Sequence, residues 1–378
     1  MASVEKRVRD GSTTWLARWR DPDGKQRKRT FPRKVDADRF LTTVEHGMLT
    51  GSYVDPAAGK VTFREYAELW RAGQPHRPNT AKAVEQHLRC YAYPVLGGRP
   101  LAAVRPSEVQ AWTTGLGATI AASTTRTVFN TFKAVFKAAV RDRLISHNPC
   151  DDVVLPKVPA RKVEPLTVEQ VEALVAGTPA RYRALVLLGA GTGLRSGELF
   201  GLQVRHVDFL RRTVTVEQQV QQLAGHEVHV CPPKTQSSYR TVPLPQVVVE
   251  SLAEHLRLYP AGPGAWLFSS TTGGPVVRTS FQHAAWQPAL RAAGLTGVGM
   301  HALRHFYASA LIRGGLSVKV VSDRLGHSNA AMTLNTYAHL WPDDEDRTRQ
   351  AVDGLLGSGA PVVPQAVPVV GISAGQRA

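Results

Sequence analysis

The alternation of apolar and polar positions predicts a small β-rich module at the start of the chain. Between residues 15 and 20, Trp15, Ala17 and Trp19 alternate with Leu16 and two arginines, the two-residue period of a half-buried strand. The turn-forming residues 21–24 and the basic run 25–31 predict a returning strand. Residues 35–48 then carry a helical pattern. We therefore expect residues 1–50 to form one compact module.

A helical period replaces the strand period over residues 61–148. The pairs Thr62-x-x-Glu65 and Ser107-x-x-Gln110 have the spacing of capping boxes that open helices. The longest helix is predicted over residues 123–143. Its buried stripe consists of five apolar residues at helical spacing: Val128, Phe132, Val135, Phe136 and Ala139. A linker rich in proline and valine, residues 151–163, then separates this helical domain from the next.

The third segment, residues 165–350, contains both the helical period and the two-residue period of strands. Thr167-x-x-Gln170 predicts a helix start, and residues 182–191 predict a buried helix. Residues 213–218, 226–230 and 240–244 predict short strands, and helices dominate over 247–340. Residues 354–378 are rich in glycine, proline and valine and are expected to form a flexible tail. The predicted fold class is a multidomain α+β protein: a β-rich module, an all-α domain and a mainly α domain with a small antiparallel sheet.

The net charge of the chain indicates which kind of molecule it binds. Its 378 residues contain 46 Lys/Arg against 30 Asp/Glu, a formal net charge of +16, which favours a polyanion such as nucleic acid; a generally basic or ribosomal protein is the alternative. The start lacks the apolar core of a signal peptide, and no stretch is long enough to span a membrane. Three widely separated cysteines fit neither a disulfide framework nor a zinc pattern. A reducing cytoplasm is the expected compartment.

Basic residues concentrate in two places that could meet DNA. The first 50 residues hold 12 Lys/Arg against 7 Asp/Glu, and a basic sheet has the width to enter a groove. On the helix over 123–143, basic residues recur at helical spacing, which fits either a solvated face or a face along a phosphate backbone. The candidate DNA-contacting residues are Arg18, Arg20, Lys25, Arg27, Lys28, Arg29, Arg126, Lys133, Lys137, Arg141 and Arg240.

The residues with the clearest chemistry lie in the last half of the chain. Arg195 follows a glycine-rich turn at a predicted helix start, with Glu198 one turn on. His301 and Arg304 share a helix face at i, i+3 spacing. His327 follows a helix end at Gly326, and the next helix carries Tyr337. Two arginines can hold a phosphate while a tyrosine attacks it.

Lys234 completes this set as a candidate proton donor. It lies in residues 233–243, which predict a β-hairpin with a polar tip, and it is the only lysine between Arg195 and His301. Nearby positive charges would lower the pKa of such a lysine and suit it to proton transfer.

A metal site is the alternative for part of this segment. His301-x-x-x-His305 has the i, i+4 spacing of two metal ligands on a helix. The glutamate of the metalloprotease motif is missing, no third ligand is evident, and Arg304 would repel a cation. The sequence favours a site without metal.

The order Arg195, Lys234, His301-x-x-Arg304, Gly326-His327 and Tyr337 resembles the catalytic set of the tyrosine recombinases, the phage-integrase family. Residues 61–148 resemble the family's core-type DNA-binding domain, and residues 1–50 resemble the arm-binding module of mobile-element integrases. The resemblance implies that Tyr337 attacks DNA to form a 3′-phosphotyrosyl bond. Arg195 and Arg304 would then bind the phosphate, and His301 and His327 would hydrogen-bond it. His301 could also act in proton transfer, Lys234 would be the acid, and Glu198 would support these residues.

The resemblance also implies partners. These are double-stranded attachment sites of core and arm type, three further copies of the chain in a tetramer on DNA, and a host bending protein or directionality factor. It implies no cofactor and no membrane, and a place of action at the nucleoid. The alternatives are a type IB topoisomerase, a dimer-resolving recombinase and a DNA-binding regulator without catalysis.

Overall fold

A computed structural model of the protein describes residues 2–9, 12–22, 24–50, 53–55, 58–159, 162–222, 228–341 and 345–356. The chain divides into two compact units, Met1–Ala160 and Arg161–Ala378. Most of the predicted flexible tail, residues 357–378, lies outside the described residues, as do residues 226–227 of one predicted strand. Residues 354–356 are the end of a helix rather than part of an irregular tail.

The first unit opens with the predicted β-rich module. Strands β1 (Ser3–Arg9), β2 (Ser12–Arg20) and β3 (Gln26–Phe31) form an antiparallel sheet in sequence order, and helix α1 (Lys34–Leu49) packs on it. The module has its own small hydrophobic core, which includes Trp19. The indole of Trp19 donates a 2.8 Å hydrogen bond to the Tyr53 hydroxyl. The predicted strands and helix are confirmed.

A separate hydrophobic core holds the helical remainder of this unit together. Four aromatic rings, at centroid distances of 4.6 to 5.3 Å, form its centre: Phe63, Trp112, Phe132 and Phe136. Burying each such ring stabilises the fold by about 1.5–3 kcal/mol. The helices of this part are α2 (Phe63–Ala72), α3 (Pro78–His87), α4 (Tyr93–Leu96), α5 (Pro106–Thr119) and α6 (Ala122–Arg141).

One of the two capping boxes predicted here forms and the other does not. The Thr62 hydroxyl accepts from the Glu65 backbone N–H, and the Glu65 carboxylate accepts in return from the Thr62 N–H, as predicted. The box at Ser107 is wrong because α5 begins two residues earlier than that box requires. Pro106 takes the first helical position, and Glu108 accepts from the backbone N–H of Arg105.

The second unit surrounds one large hydrophobic core with helices and two small sheets. Thr167 and Gln170 form the predicted capping box at its first helix. The helices are α7 (Val168–Gly177), α8 (Ala180–Thr192), α9 (Ser196–Phe200), α10 (Gln246–Leu258), α11 (Arg278–Phe281), α12 (Gln287–Ala292), α13 (His301–Arg313), α14 (Val318–Leu325), α15 (Ala330–Tyr337) and α16 (Glu345–Leu356). The strands are β4 (Val207–Asp208), β5 (Thr213–Val216), β6 (Gln219–Gln222), β7 (Val228–Cys231) and β8 (Arg240–Pro243).

The predicted hairpin around Lys234 is wrong. Strand β8 pairs with β5, whereas β7 pairs with β6, so residues 232–239 connect two different sheets. The sequence pattern missed β6, whose polar residues flank a single buried valine, Val220.

The turn between α8 and α9 depends on Gly193. This residue has a φ of +63°, and a Cβ at this position would stand 2.5 Å from Cδ1 of Tyr307. Glycine is therefore required twice over, for the left-handed backbone and for the close approach of α13.

We predict that Gly193→Ala lowers the free energy of unfolding by about 2–5 kcal/mol, because backbone strain and overpacking add. Gly294→Ala is the matched control, since Gly294 has a φ of +66° with nothing within 4 Å of its added Cβ. The control should lose only about 1–2 kcal/mol. Chemical denaturation of the two variants measures the difference, and equal losses would contradict the role given to the Tyr307 contact.

Candidate active site

Arg195 is fixed at the start of α9 by three hydrogen bonds. Its backbone N–H donates to Glu198 Oε2 at 2.8 Å, and its Nη1 donates to Glu198 Oε1 at 2.9 Å. Its Nη2 donates to the carbonyl of Gly326 at 3.1 Å, which ties α9 to the end of α14. The guanidinium is only partly covered, because 36% of the side chain remains exposed. Arg195 can therefore be oriented by the protein and still reach a ligand.

Glu198 is the buried centre of this arrangement. Only 2% of the residue is exposed, and Arg240 binds both of its oxygens, through Nη1 at 3.1 Å and Nη2 at 2.8 Å. Burial alone would raise the pKa of Glu198, but the hydrogen bonds and charges of Arg240 and Arg195 outweigh it and hold that pKa below its usual range. The carboxylate is thus ionised between two arginines.

Arg240 occupies a different place from the one expected of a DNA-contacting residue. Its side chain is 6% exposed, and its Nε donates to the carbonyl of Arg324 at 2.9 Å while Nη1 donates to the carbonyl of Ser238 at 3.0 Å. Through these buried hydrogen bonds, Arg240 connects β8 to α9 and to α14. This geometry favours a positioning role for Arg240. The sequence did not indicate this role, because it does not distinguish a buried arginine from one on the surface.

Arg304 is the third arginine of this cluster and lies on α13. The residue is 2% exposed, and its Nη1 donates to the carbonyl of Gly193 at 2.8 Å. Its buried Nη2 has no hydrogen-bond partner among the described residues. Burial and the charges of Arg195 and Arg240 lower the pKa of Arg304 to about 9. A buried cation with an unused donor is costly, so this position is prepared for an anion.

Two histidines flank the arginines. His301 starts α13 with one side exposed and the other packed against neighbouring groups, whereas His327 is half-buried, with Nδ1 2.8 Å from the Thr333 hydroxyl. Desolvation and nearby positive groups lower the pKa of each ring to about 4. Both are therefore neutral at physiological pH. A bound phosphate would oppose the neighbouring positive charges and raise both pKa values, which would make the rings better donors.

Tyr337 ends α15 with only 1% of its surface exposed. Its hydroxyl lies 2.7 Å from Nδ1 of His305, one residue after Arg304. Burial raises the pKa of this phenol, although the charge of Arg304 partly offsets the effect. The sequence singled out His305 only for its spacing from His301. Its position one residue beyond Arg304 was the available signal, but the contact depends on where α15 docks.

The remaining catalytic candidate, Lys234, lies on an exposed loop after β7. That loop leads through the turn Gln236–Ser238 into Arg240, so it is anchored at the arginine cluster. The structure thus brings partly exposed Arg195 together with buried Glu198, Arg304 and Tyr337 in one cluster, with the two histidines beside it. Lys234 stands on the adjoining loop.

The basic candidates of the first three strands divide between two faces of the sheet. Arg18 lies opposite Lys28 on the face away from α1, and Arg20 follows on the same side. Arg29 lies opposite Ala17 and stacks on the rings of Phe31 and Phe40. Lys25 is exposed in the turn before β3.

Arg27 is committed to ion pairs within the module. Its Nε donates to Asp21 at 2.9 Å, and its Nη2 pairs with Asp55. Arg18 is also paired, with Glu5 at 2.8 Å, so Arg27 and Arg18 are both less available to DNA than Arg20 and Lys28.

The basic stripe on α6 is partly paired. Lys133 contacts Asp151 at 3.0 Å, Arg141 lies 3.8 Å from Asp142, and Arg126 donates to the carbonyl of Pro156 at 3.3 Å. These residues and Lys137 are at least partly exposed, so both a solvated face and a phosphate-contacting face fit their placement.

Within the described parts of the chain, no group of three or more His, Cys, Asp or Glu residues is placed to hold a metal ion. Among these same residues, no helix is both long and apolar enough to cross a membrane.

Sequence comparisons connect this geometry to known proteins. Residues 164–343 match the phage integrase family, and residues 61–155 match the phage integrase central domain. The integrase of Mycobacterium phage FRAT1 is 30% identical over 330 residues, which cover 84% of this chain and 97% of the relative. The integrase of Mycobacterium phage D29 is 29% identical over 336 residues, which cover 85% of this chain and 88% of the relative.

Solved structures share the fold. An integrase of the transposon Tn1549 in complex with transposon right-end DNA has a TM-score of 0.67 at 24% identity, covering 77% of this chain and 99% of that one. A lambda integrase dimer bound to a core site has a TM-score of 0.58 at 18% identity, covering 90% of this chain and 95% of that one. Taken with the buried arginine–tyrosine cluster, these similarities lead to one conclusion: the chain belongs to the phage integrase family and is a site-specific DNA recombinase of the tyrosine recombinase type.

Proposed function

We propose that this protein integrates or excises a mobile element by cutting and rejoining DNA through Tyr337. The hydroxyl of Tyr337 attacks the scissile phosphate, a 3′-phosphotyrosyl ester forms, and a 5′-hydroxyl departs. Because the phosphotyrosyl ester conserves the energy of the broken phosphodiester bond, a 5′-hydroxyl from another duplex can attack it and reverse the step without ATP. The single observation that carries this proposal is the unpartnered, buried Nη2 of Arg304 in the same cluster as Tyr337.

The other residues take roles that follow from their geometry. Arg195 and Arg304 bind the non-bridging oxygens and stabilise the charge that develops during attack. His301 and His327 are neutral donors to the same phosphate. Lys234, on its exposed loop, protonates the departing 5′-oxygen. Glu198, which is itself bound by Arg240, holds Arg195 in place.

The N-terminal regions supply binding to two kinds of DNA site. Residues 61–148 contact the core site around the cleavage point, with the basic stripe of α6 along the backbone. Residues 1–50 contact a separate arm site through the open face of their sheet. Lambda integrase has been solved as a tetramer on a Holliday junction, and strand exchange between two duplexes needs four such sites. We infer the same assembly here at the nucleoid, with a host bending protein or directionality factor as a further partner.

We predict that Tyr337→Phe abolishes covalent capture of DNA while leaving binding intact, because it removes only the nucleophilic oxygen. Nicked duplexes tiled from the DNA flanking the gene serve as substrates, and a denaturation-resistant protein–DNA adduct is the readout. Tyr182→Phe, a partly buried tyrosine of α8, is the control and should form adduct normally. EDTA should leave the wild-type adduct unchanged.

Two results would contradict this proposal. An adduct that persists in Tyr337→Phe would identify another nucleophile. Full inhibition by EDTA would revive the metal-dependent alternative for His301 and His305.

We predict that Lys28→Gln weakens binding to arm DNA and lowers the salt dependence of that binding by about one ion, because one phosphate contact is lost. Arg39→Gln is the control, since Arg39 is exposed on α1 and removes the same charge from a different surface. Binding of the full chain to flanking DNA is measured over a salt series. Equal effects of the two changes would mean that the open sheet face does not contact DNA.

A further inference from the structure

The loop that carries Lys234 is exposed at its tip and held at both ends. Pro233 and Ser238 are buried, whereas the residues between them are exposed or half-buried. The side-chain amide of Gln219 donates to the carbonyl of Pro232 at 3.1 Å, which fixes the loop where it leaves β7. Lys234 therefore belongs to a short turn with two fixed ends.

Ser238 is the fixed point on the far side of Lys234. Only 3% of this residue is exposed, and its hydroxyl lies 2.9 Å from the hydroxyl of Thr235, the residue next to the lysine. Its backbone N–H donates to the carbonyl of Thr235 at 3.0 Å, so side chain and backbone close the same turn. A buried hydroxyl is costly to leave unpaired, so this contact fixes the backbone directly beside Lys234.

The carbonyl of Ser238 connects this turn to the arginine cluster. It accepts from Nη1 of Arg240 at 3.0 Å, and the same nitrogen donates to Glu198 Oε1 at 3.1 Å. Glu198 in turn accepts from Nη1 of Arg195 at 2.9 Å. A continuous path of hydrogen bonds therefore runs from the turn beside Lys234 to an arginine proposed to bind the phosphate.

The turn also packs tightly against the loop that carries His327. A Cβ on Gly326 would stand 2.9 Å from the carbonyl oxygen of Ser237, so glycine is what lets the two loops approach this closely. The carbonyl of the same glycine accepts from Nη2 of Arg195 at 3.1 Å. The turn beside Lys234 therefore has a fixed place relative to Arg195 and the His327 loop.

We propose that Ser238 is a positioning residue for Lys234, because it fixes the turn from which the lysine reaches the departing 5′-oxygen. This inference rests on the proposed role of Lys234 as the acid. At the leaving-group end of the reaction, the bond from phosphorus to the 5′-oxygen breaks. That oxygen takes a proton from the Lys234 ammonium, which becomes a neutral amine. The transfer needs close approach, and a misplacement of about an ångström can slow a reaction by about 10²-fold.

The test compares two nicked duplexes that differ only in the leaving atom. A 5′-oxygen must be protonated as it departs, whereas a sulfur in its place leaves as a stable thiolate and needs no acid. We expect Ser238→Ala to form adduct about 10–10²-fold more slowly than wild type on the oxygen substrate, and at nearly the wild-type rate on the sulfur substrate. A wild-type rate on the oxygen substrate, or equal slowing on both, would overturn the inference.

A double variant tests whether Ser238 acts through the lysine. Lys234→Ala removes the acid, so adding Ser238→Ala should slow adduct formation on the oxygen substrate no further. Losses that multiply would show that the two residues act separately, and would contradict the proposal. Thr241→Val is the control, because the exposed hydroxyl of Thr241 pairs with that of Thr215 at 3.1 Å and not with the turn. It should match wild type on both substrates.

Thr235→Val covers the case in which Ser238→Ala does not fold. Because Thr235 is exposed, this change removes the same hydroxyl pair from the solvent side and leaves the buried serine in place. It should show the same slowing with oxygen and the same rescue by sulfur, and unimpaired cleavage of the oxygen substrate would refute the inference. Failure of the proposed function is recognised separately, because Lys234→Ala would then cleave the oxygen substrate at the wild-type rate.

Discussion

The buried carboxylate of Glu198 is the interaction on which the rest of the site depends. It accepts from the backbone and side chain of Arg195 and from both terminal nitrogens of Arg240. Removing one partner of a buried ion pair leaves the other charge uncompensated and costs about 3–5 kcal/mol. The three side chains must therefore be in place together. This requirement fixes where α9, β8 and the end of α14 can lie.

The same network sets the geometry around the phosphate site. Arg195 reaches the carbonyl of Gly326, and Arg240 reaches the carbonyl of Arg324, so the loop that carries His327 is held from two sides. Arg304 donates to the carbonyl of Gly193, the glycine that allows the turn into α9. Three guanidinium groups thus converge with a single carboxylate among them. Burial and the excess positive charge lower the pKa of Arg304, and in the proposed function a bound phosphodiester would supply the negative charge that the cluster lacks.

The sequence identified much of the fold because its local signals agree with the final packing. The capping boxes at Thr62 and Thr167, the left-handed Gly326 and the helix stripe around Phe132 each depend on neighbours within a turn or two. Strand β6 and the pairing of β7 were missed because sheet partners are chosen by contacts distant in sequence. The box at Ser107 failed because Pro106 and Glu108 offered a better helix start two residues earlier.

The site was predictable as a set of residue types but not as a geometry. Arginine, histidine and tyrosine in this order indicated attack on a phosphate. Nothing local distinguished Arg240, buried against Glu198, from an arginine on a DNA-binding surface. Nothing local indicated that His305 would meet the hydroxyl of Tyr337, because that contact depends on how α13 and α15 pack. Burial and long-range partners, rather than residue identity, decide between these roles.

Glu198 acts by holding Arg195 and Arg240 in position, and a double-mutant cycle on adduct formation is the most direct test of this role. Glu198→Gln and Arg240→Gln should each slow adduct formation by about 10²-fold, the scale of a misplacement of about an ångström. If the two residues act as one unit, the double variant should be no slower than the slower single variant. Losses that multiply in the double variant would show that the residues act independently, and would contradict this account of the site.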